Sequence, residues 1–259
     1  PHATQYNFGT GDFSIEHWWK SDTTSGHIAG SLVKIDSPNN QYWDLSINHD
    51  ANSYLPVFHI NDGNVSGLDY QANATTDITD NQWYHLAGVR IADTMRVYID
   101  GVFEGSTIMS ASNVNADNIG PIWVGVRSTI TPGTIGIHNI DEVRIWNKAL
   151  TQYEIQINMN KQLIGTETGL VGYWDFNEGI GTSVNDLTTN INNGTINGAI
   201  YSSDVPFIAS TIEITNEITI CAGDSTLIFG IYQTVAGTYY DSLTSVNGCD
   251  SILITNLIV

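Results

Sequence analysis

The chain has 259 residues, 41% of them hydrophobic, with 8 Lys+Arg against 27 Asp+Glu and a formal net charge of −19. That length allows one large β domain, or a large one with a small companion. The charge disfavours nucleic acid and anionic membrane surfaces as partners, and no apolar run of about 18 residues is present to insert in a bilayer.

Gly, Asn, Asp, Ser and Thr punctuate the sequence at short intervals. Between them lie apolar or alternating runs at 13–20, 41–48, 56–61, 84–91, 95–99, 122–126 and 140–146. Many short strands with regular turn signals predict an all-β, two-sheet antiparallel sandwich. Residues 96–106 read as a hairpin, with Asp100-Gly101 as its two-residue turn. Thr151-Gln152-Tyr153-Glu154 reads as a capping box. Tyr153, Ile157, Met159 and Leu163 then form an apolar stripe, ended by Gly165. This predicts one helix of about three turns against the sandwich.

Composition changes near residue 210. All eight basic residues precede it, so the first part carries 8 − 22 = −14 and the remainder five acids and no base. Strand-like alternation resumes from Thr211. The expected division is a β-sandwich domain at 1–208 and a small β module at 209–259. Cys221 and Cys249 both fall in the small module. A disulfide is favoured over two buried thiols, because so short a segment can build little core, and it would suit an oxidising compartment. The chain begins at Pro1 without Met or an apolar leader, as expected of a processed or trimmed fragment.

Five segments in order carry a family resemblance. Asp12-Phe13-Ser14-Ile15-Glu16-His17-Trp18-Trp19-Lys20, Asn81-Gln82-Trp83-Tyr84-His85-Leu86, Met95-Arg96-Val97-Tyr98-Ile99-Asp100-Gly101 and Ile140-Asp141-Glu142-Val143-Arg144-Ile145-Trp146 are the first four. Gly169-Leu170-Val171-Gly172-Tyr173-Trp174-Asp175-Phe176, with the 186–194 element, is the fifth. Together they resemble the bacterial laminin-G-like, concanavalin A-like jelly-roll lectins. The resemblance implies a jelly roll and a lectin-like role. In the C-terminal part, residues 220–225, 236–241 and 246–251 resemble the Ig-like spacer modules of secreted Bacteroidetes proteins. That implies a bacterial, exported, multi-domain parent and a Cys221–Cys249 bridge.

The jelly-roll glucanases carry carboxylates at alternate positions of one strand, and that pattern is missing. Asp141 and Glu142 are adjacent, so regular alternation sends them to opposite faces. No G-x-S-x-G, H-E-x-x-H or paired C-x-x-C occurs, and the histidine spacing fits no zinc site. A structural Ca²⁺ is a candidate, with Asp141, Asp186 and Asn193 as ligands and Asp12 less favoured; Asx turns are the plain alternative.

Sugars stack on aromatics and need polar partners for their hydroxyls. Trp18, Trp83, Trp146 and Trp174 stand at family positions and are expected to pack. His17, Trp19, Trp43, His59, Tyr70, Trp123 and Arg127 lie outside the pattern and are the candidate ligand-binding residues. His17 and Trp19 should share a face, and Arg127 suits a sulfate or carboxylate. The leading expectation is a non-catalytic module that binds a polysaccharide, with algal glycans among the options. It would be a monomer, secreted or cell-surface, attached to a catalytic domain in the same parent chain. The second is an adhesion or spacer module, which would bury those aromatics. The third is a hydrolase or lyase, which would need two facing carboxylates.

Overall fold

Alternation of apolar and polar residues along short runs dictates strands whose two faces differ. The computed structural model describes residues 3–21, 29–50, 53–63, 68–78, 81–110, 114–126, 138–206, 212–243 and 251–259. The chain forms two units: Pro1–Met159 with Leu163–Pro206, and Asn160–Gln162 with Phe207–Val259.

The first unit is an antiparallel β-sandwich. Its strands are β1 (Phe13–Ser21), β2 (Ala29–Asp36), β3 (Gln41–Asp50), β4 (Ser53–Asp62), β5 (Asp69–Asn73), β6 (Tyr84–Ile91), β7 (Thr94–Ile99), β8 (Val102–Ile108), β9 (Ile122–Val124), β10 (His138–Trp146) and β11 (Leu170–Trp174). One sheet runs β11-β10-β1-β6-β7-β8 and the other β5-β4-β3-β2-β9. The chain therefore changes sheet four times, so each layer depends on non-local pairing. Phe13, Ile15, Trp19, Leu86 and Val97 from one sheet pack with Trp43, Leu45, Phe58 and Ile60 from the other. The rings of Phe13 and Phe58 meet edge to face at 5.7 Å.

The sheets approach closely at Gly88 in β6. A Cβ there would lie 2.5 Å from the Phe58 ring, so Gly88→Ala forces Phe58 off its rotamer or spreads the layers. The expected loss is about 1–3 kcal/mol, read by urea denaturation. An unchanged midpoint would mean that the interface is looser than drawn.

The hairpin stands as expected: Ile99 pairs with Val102, and Asp100 and Gly101 both take positive φ, 48° and 69°. The capping box also forms, with Thr151 accepting from the Glu154 amide and Glu154 accepting from the Thr151 amide. The helix α1 (Gln152–Asn158) is shorter than the stripe implied. Its last carbonyls are taken by the sheet: Arg144 donates to Asn158 O at 2.7 Å and the Trp18 indole to Met159 O at 2.9 Å. The buried residue is Ile155, not Tyr153, which is exposed. Ile155, Leu150 and Leu163 form a second core with Trp146 and Tyr173 on the far side of the six-stranded sheet.

A buried charged network lies on that side. Arg144 donates to Glu142 at 2.7 Å and sits 3.6 Å from Glu16. The Trp146 indole donates to Glu16 at 3.1 Å, and the Tyr173 hydroxyl to Glu142 at 2.8 Å. Glu142 has φ 53°, at the bulge where the β1–β10 register shifts between Glu16 and Trp18. Burial holds the Glu16 carboxyl above its usual range despite the pull of Arg144.

In the second unit, β14 (Ile212–Thr219) runs parallel to β18 (Ser251–Ile258), and β17 (Gly237–Leu243) pairs antiparallel with β18. A hairpin of β15 (Thr226–Ile228) and β16 (Ile231–Gln233) turns at Phe229-Gly230. The two-residue strands β12 (Ser183–Val184) and β13 (Gly194–Thr195) belong to the first unit. No helix among the described residues is long and apolar enough to cross a membrane.

Candidate functional site

Residues paired across neighbouring strands share a face. Trp123 pairs with Val33, Val33 with Asp44, Asp44 with His59, and His59 with Gln71. These five form one row across the five-stranded sheet. The alternate residues Leu32, Trp43, Leu45, Phe58, Ile60 and Ala72 point into the core, so the row lies on the outer face. Beside it runs a second row, Ile35, Tyr42, Asn61 and Asp69. At ordinary strand spacing the first row spans about 19 Å.

His59 is the polar centre. Its Nε2 faces the Asp69 carboxylate and lies 3.3 Å from the Tyr42 hydroxyl. The Tyr42 ring meets the imidazole edge to face at 4.8 Å. The carboxylate at Nε2 selects the tautomer with a proton there. Nδ1 lies 3.9 Å from Asp44 Oδ2, and Ser46 donates to Asp44 Oδ1 at 2.8 Å. His59, Asp44 and Ser46 are buried, whereas the Asp69 side chain is 47% exposed. Trp123, Tyr42 and Gln71 are half-buried. An indole and a phenol ring with accessible surface, beside an amide and a carboxylate, provide stacking area and hydrogen-bonding groups for a hydroxylated ligand.

Only two of the expected ligand-binding residues, His59 and Trp123, share this face. His17, Trp19 and Trp43 are 0% exposed and are corrected to interior positions, because they alternate in phase with Phe13 and Ile15 or with Leu45 and Ile47. His17 does share a face with Trp19, but that face is the inner one. Tyr70 is half-buried and stands on the inward-facing row. It pairs with core Ile60, packs against the core and bonds Ser110 at 2.9 Å. Trp146, Trp174 and Trp18 are buried, while Trp83 is half-buried and donates to Asp204 at 3.1 Å. Arg127 lies outside the described residues. Tyr42, Asp44, Asp69 and Gln71 escaped the sequence reading. Their signal was the same alternation: once Trp43 is inward, Tyr42 and Asp44 must be outward.

The candidate calcium ligands are engaged with loop amides. Asp186 Oδ1 accepts from the Tyr173 and Thr188 amides, and Oδ2 from the Asn192 amide at 2.9 Å. Asn193 Oδ1 accepts from the Asp186 amide at 3.0 Å. Asp141 Oδ1 accepts from the Glu142 amide at 2.9 Å. These oxygens cap loop amides, as Asx turns do. Burial, with the charges of Glu142 and Asp175, pushes the Asp141 carboxyl up to about 7. No cluster of three or more His, Cys, Asp or Glu able to hold a metal occurs among the described residues. Added Ca²⁺ or chelator is therefore expected to leave Tm unchanged. Asp186→Ala should cost about 2–4 kcal/mol by orphaning buried amides. A calcium-dependent rise in Tm would reverse this assignment. Cys221 is exposed, and Cys249 lies outside the described residues.

The family model described as the concanavalin A-like lectin/glucanases superfamily matches residues 2–156, more than half of the chain. The chain belongs to this superfamily. No curated protein matches it. Among solved structures, a Bacteroides ovatus protein whose carbohydrate-binding role is itself an assignment aligns at TM-score 0.56 and 18% identity. The alignment covers 78% of this chain and 58% of that one, so the chain spans well under two thirds of that relative. Domain 4 of an extracellular arabinanase from Geobacillus stearothermophilus, solved with arabinotriose, aligns at TM-score 0.44 and 22% identity, over 57% and 66% of the two chains. At these identities the likeness concerns the concanavalin A-like sandwich alone.

Proposed function

We propose that the first unit is a non-catalytic carbohydrate-binding module of a larger secreted bacterial protein that acts on polysaccharides. The second unit is read as an Ig-like spacer closed by a Cys221–Cys249 disulfide. The observation that carries the binding role is the half-buried Trp123 indole at the end of a polar row on the outer face of the five-stranded sheet. The lectin-like superfamily supports it.

In affinity electrophoresis, at least one polysaccharide should retard the protein. Trp123→Ala should weaken that retardation by about tenfold or more, the loss of one stacking contact, with an unchanged circular dichroism spectrum. No retardation by any of a broad set of plant and algal glycans would refute the reading.

Burial of Trp19, Trp43 and His17 favours the alternative of an adhesion or spacer module, and the same experiment separates the two. Hydrolysis is the weakest reading. Asp44 and Asp69 share a face, but Asp44 is buried and bound by Ser46, and Asp69 is turned to His59. Release of reducing ends from any glycan would revive it.

A further inference from the structure

We infer that the glycan taken by the five-stranded face is an uncharged one, and that acidic polysaccharides are excluded. This rests on the binding role proposed above and narrows it to a ligand class. By register the described residues of that face include three acids, Asp44, Asp50 and Asp69, with Asp44 and Asp69 beside His59, and no Lys or Arg. An acidic sugar bound there would bring its carboxylate or sulfate toward exposed Asp69 with no guanidinium or ammonium to pair it. Unpaired like charges at close quarters repel, and the repulsion grows as water is expelled.

Among the described residues, five bases are bound away from this face. Lys34 lies on β2 but points inward, donating to Asn118 and to Asn7 at 3.0 Å. Lys20 is paired with Asp204 at 2.7 Å, and Lys148 with Glu154 at 2.7 Å. Arg90 donates to the Gly9 and Val114 carbonyls, and Arg144 to Glu142. Arg96 stands on β7, in the opposite sheet. A net charge of −19 then adds a long-range field that repels polyanions at low salt. Uncharged hydroxylated chains meet no such penalty and can use Trp123, Tyr42 and Gln71.

The test is affinity electrophoresis in chelator at low ionic strength, against laminarin and galactomannan on one side and alginate and carrageenan on the other. Retardation by a neutral glycan at least about tenfold stronger than by either acidic one supports the inference. Retardation by alginate or carrageenan that fades with salt and is lost in Arg127→Gln overturns it, while leaving the binding role standing. Retardation by none of the four, followed by none in the broad panel, removes both.

Discussion

Arg144→Met is expected to lower the unfolding free energy by about 3–5 kcal/mol near neutral pH, the usual result of stripping a buried ion network of its cation. Glu16 and Glu142 are buried, and Arg144 is the base that faces both. The variant also frees the Asn158 carbonyl at the end of α1, so the helix should fray first and expose Leu150, Ile155 and Leu163. The loss should shrink on acidification. Without Arg144, burial raises the folded-state pKa of Glu16 further. The folded state then binds protons that the unfolded state does not yet hold, and stability rises as pH falls from about 7 towards the ordinary carboxylate range. Urea denaturation at about pH 7 and pH 5, with amide exchange across 150–159, measures both effects. A loss under about 1 kcal/mol, or a gap that widens in acid, would mean that the network is not the buried ion cluster described.

Replacing His17 by Leu should make the protein more acid-resistant. Both ring nitrogens of His17 are buried without a hydrogen-bond partner, and desolvation, with His138 nearby, lowers its pKa to about 3. A base whose folded pKa is depressed costs nothing above its unfolded value of about 6.5. Below that the unfolded chain takes up a proton that the folded chain refuses, so stability falls as pH drops towards about 3. At about pH 5 the cost is about 2 kcal/mol. His85 is depressed well below its usual range by burial and by Arg144, and acts in the same direction. Glu16 and Asp141, both raised by burial, act in the opposite one. The wild-type profile is a sum of opposed slopes, so the wild-type to His17→Leu difference is the informative quantity. It should widen by about 2 kcal/mol between about pH 7.5 and pH 5. Parallel profiles would show that the imidazole has a partner in solution.

These two sites show where reading the chain in one dimension stops. In β1, the phase of Phe13 and Ile15 already committed His17 and Trp19 to the core. In β3, Leu45 and Ile47 did the same for Trp43. Setting those three apart as unusual for the family overrode a signal that their own neighbours carried. In β4 the same alternation set Phe58 and Ile60 inward and His59 and Asn61 outward, so His59 could be assigned to the outer face from its neighbours.

The amino-acid order by itself determined the sandwich class, the Asp100-Gly101 hairpin and the Thr151 capping box, because strand alternation, turn residues and caps are patterns written within a few positions. It also carried the superfamily, through motifs local to single strands. Tertiary structure alone decided that Trp123 joins the row of Asp44, His59 and Gln71, since β9 returns to that sheet only after β6, β7 and β8 have been laid in the other. It decided too that Glu16 and Arg144 are buried: their alternate positions read as solvent-facing until α1 and its apolar residues cover that side. Pairing between distant strands and a helix laid over a sheet are set by how all the surfaces fit together, and no local pattern encodes that fit.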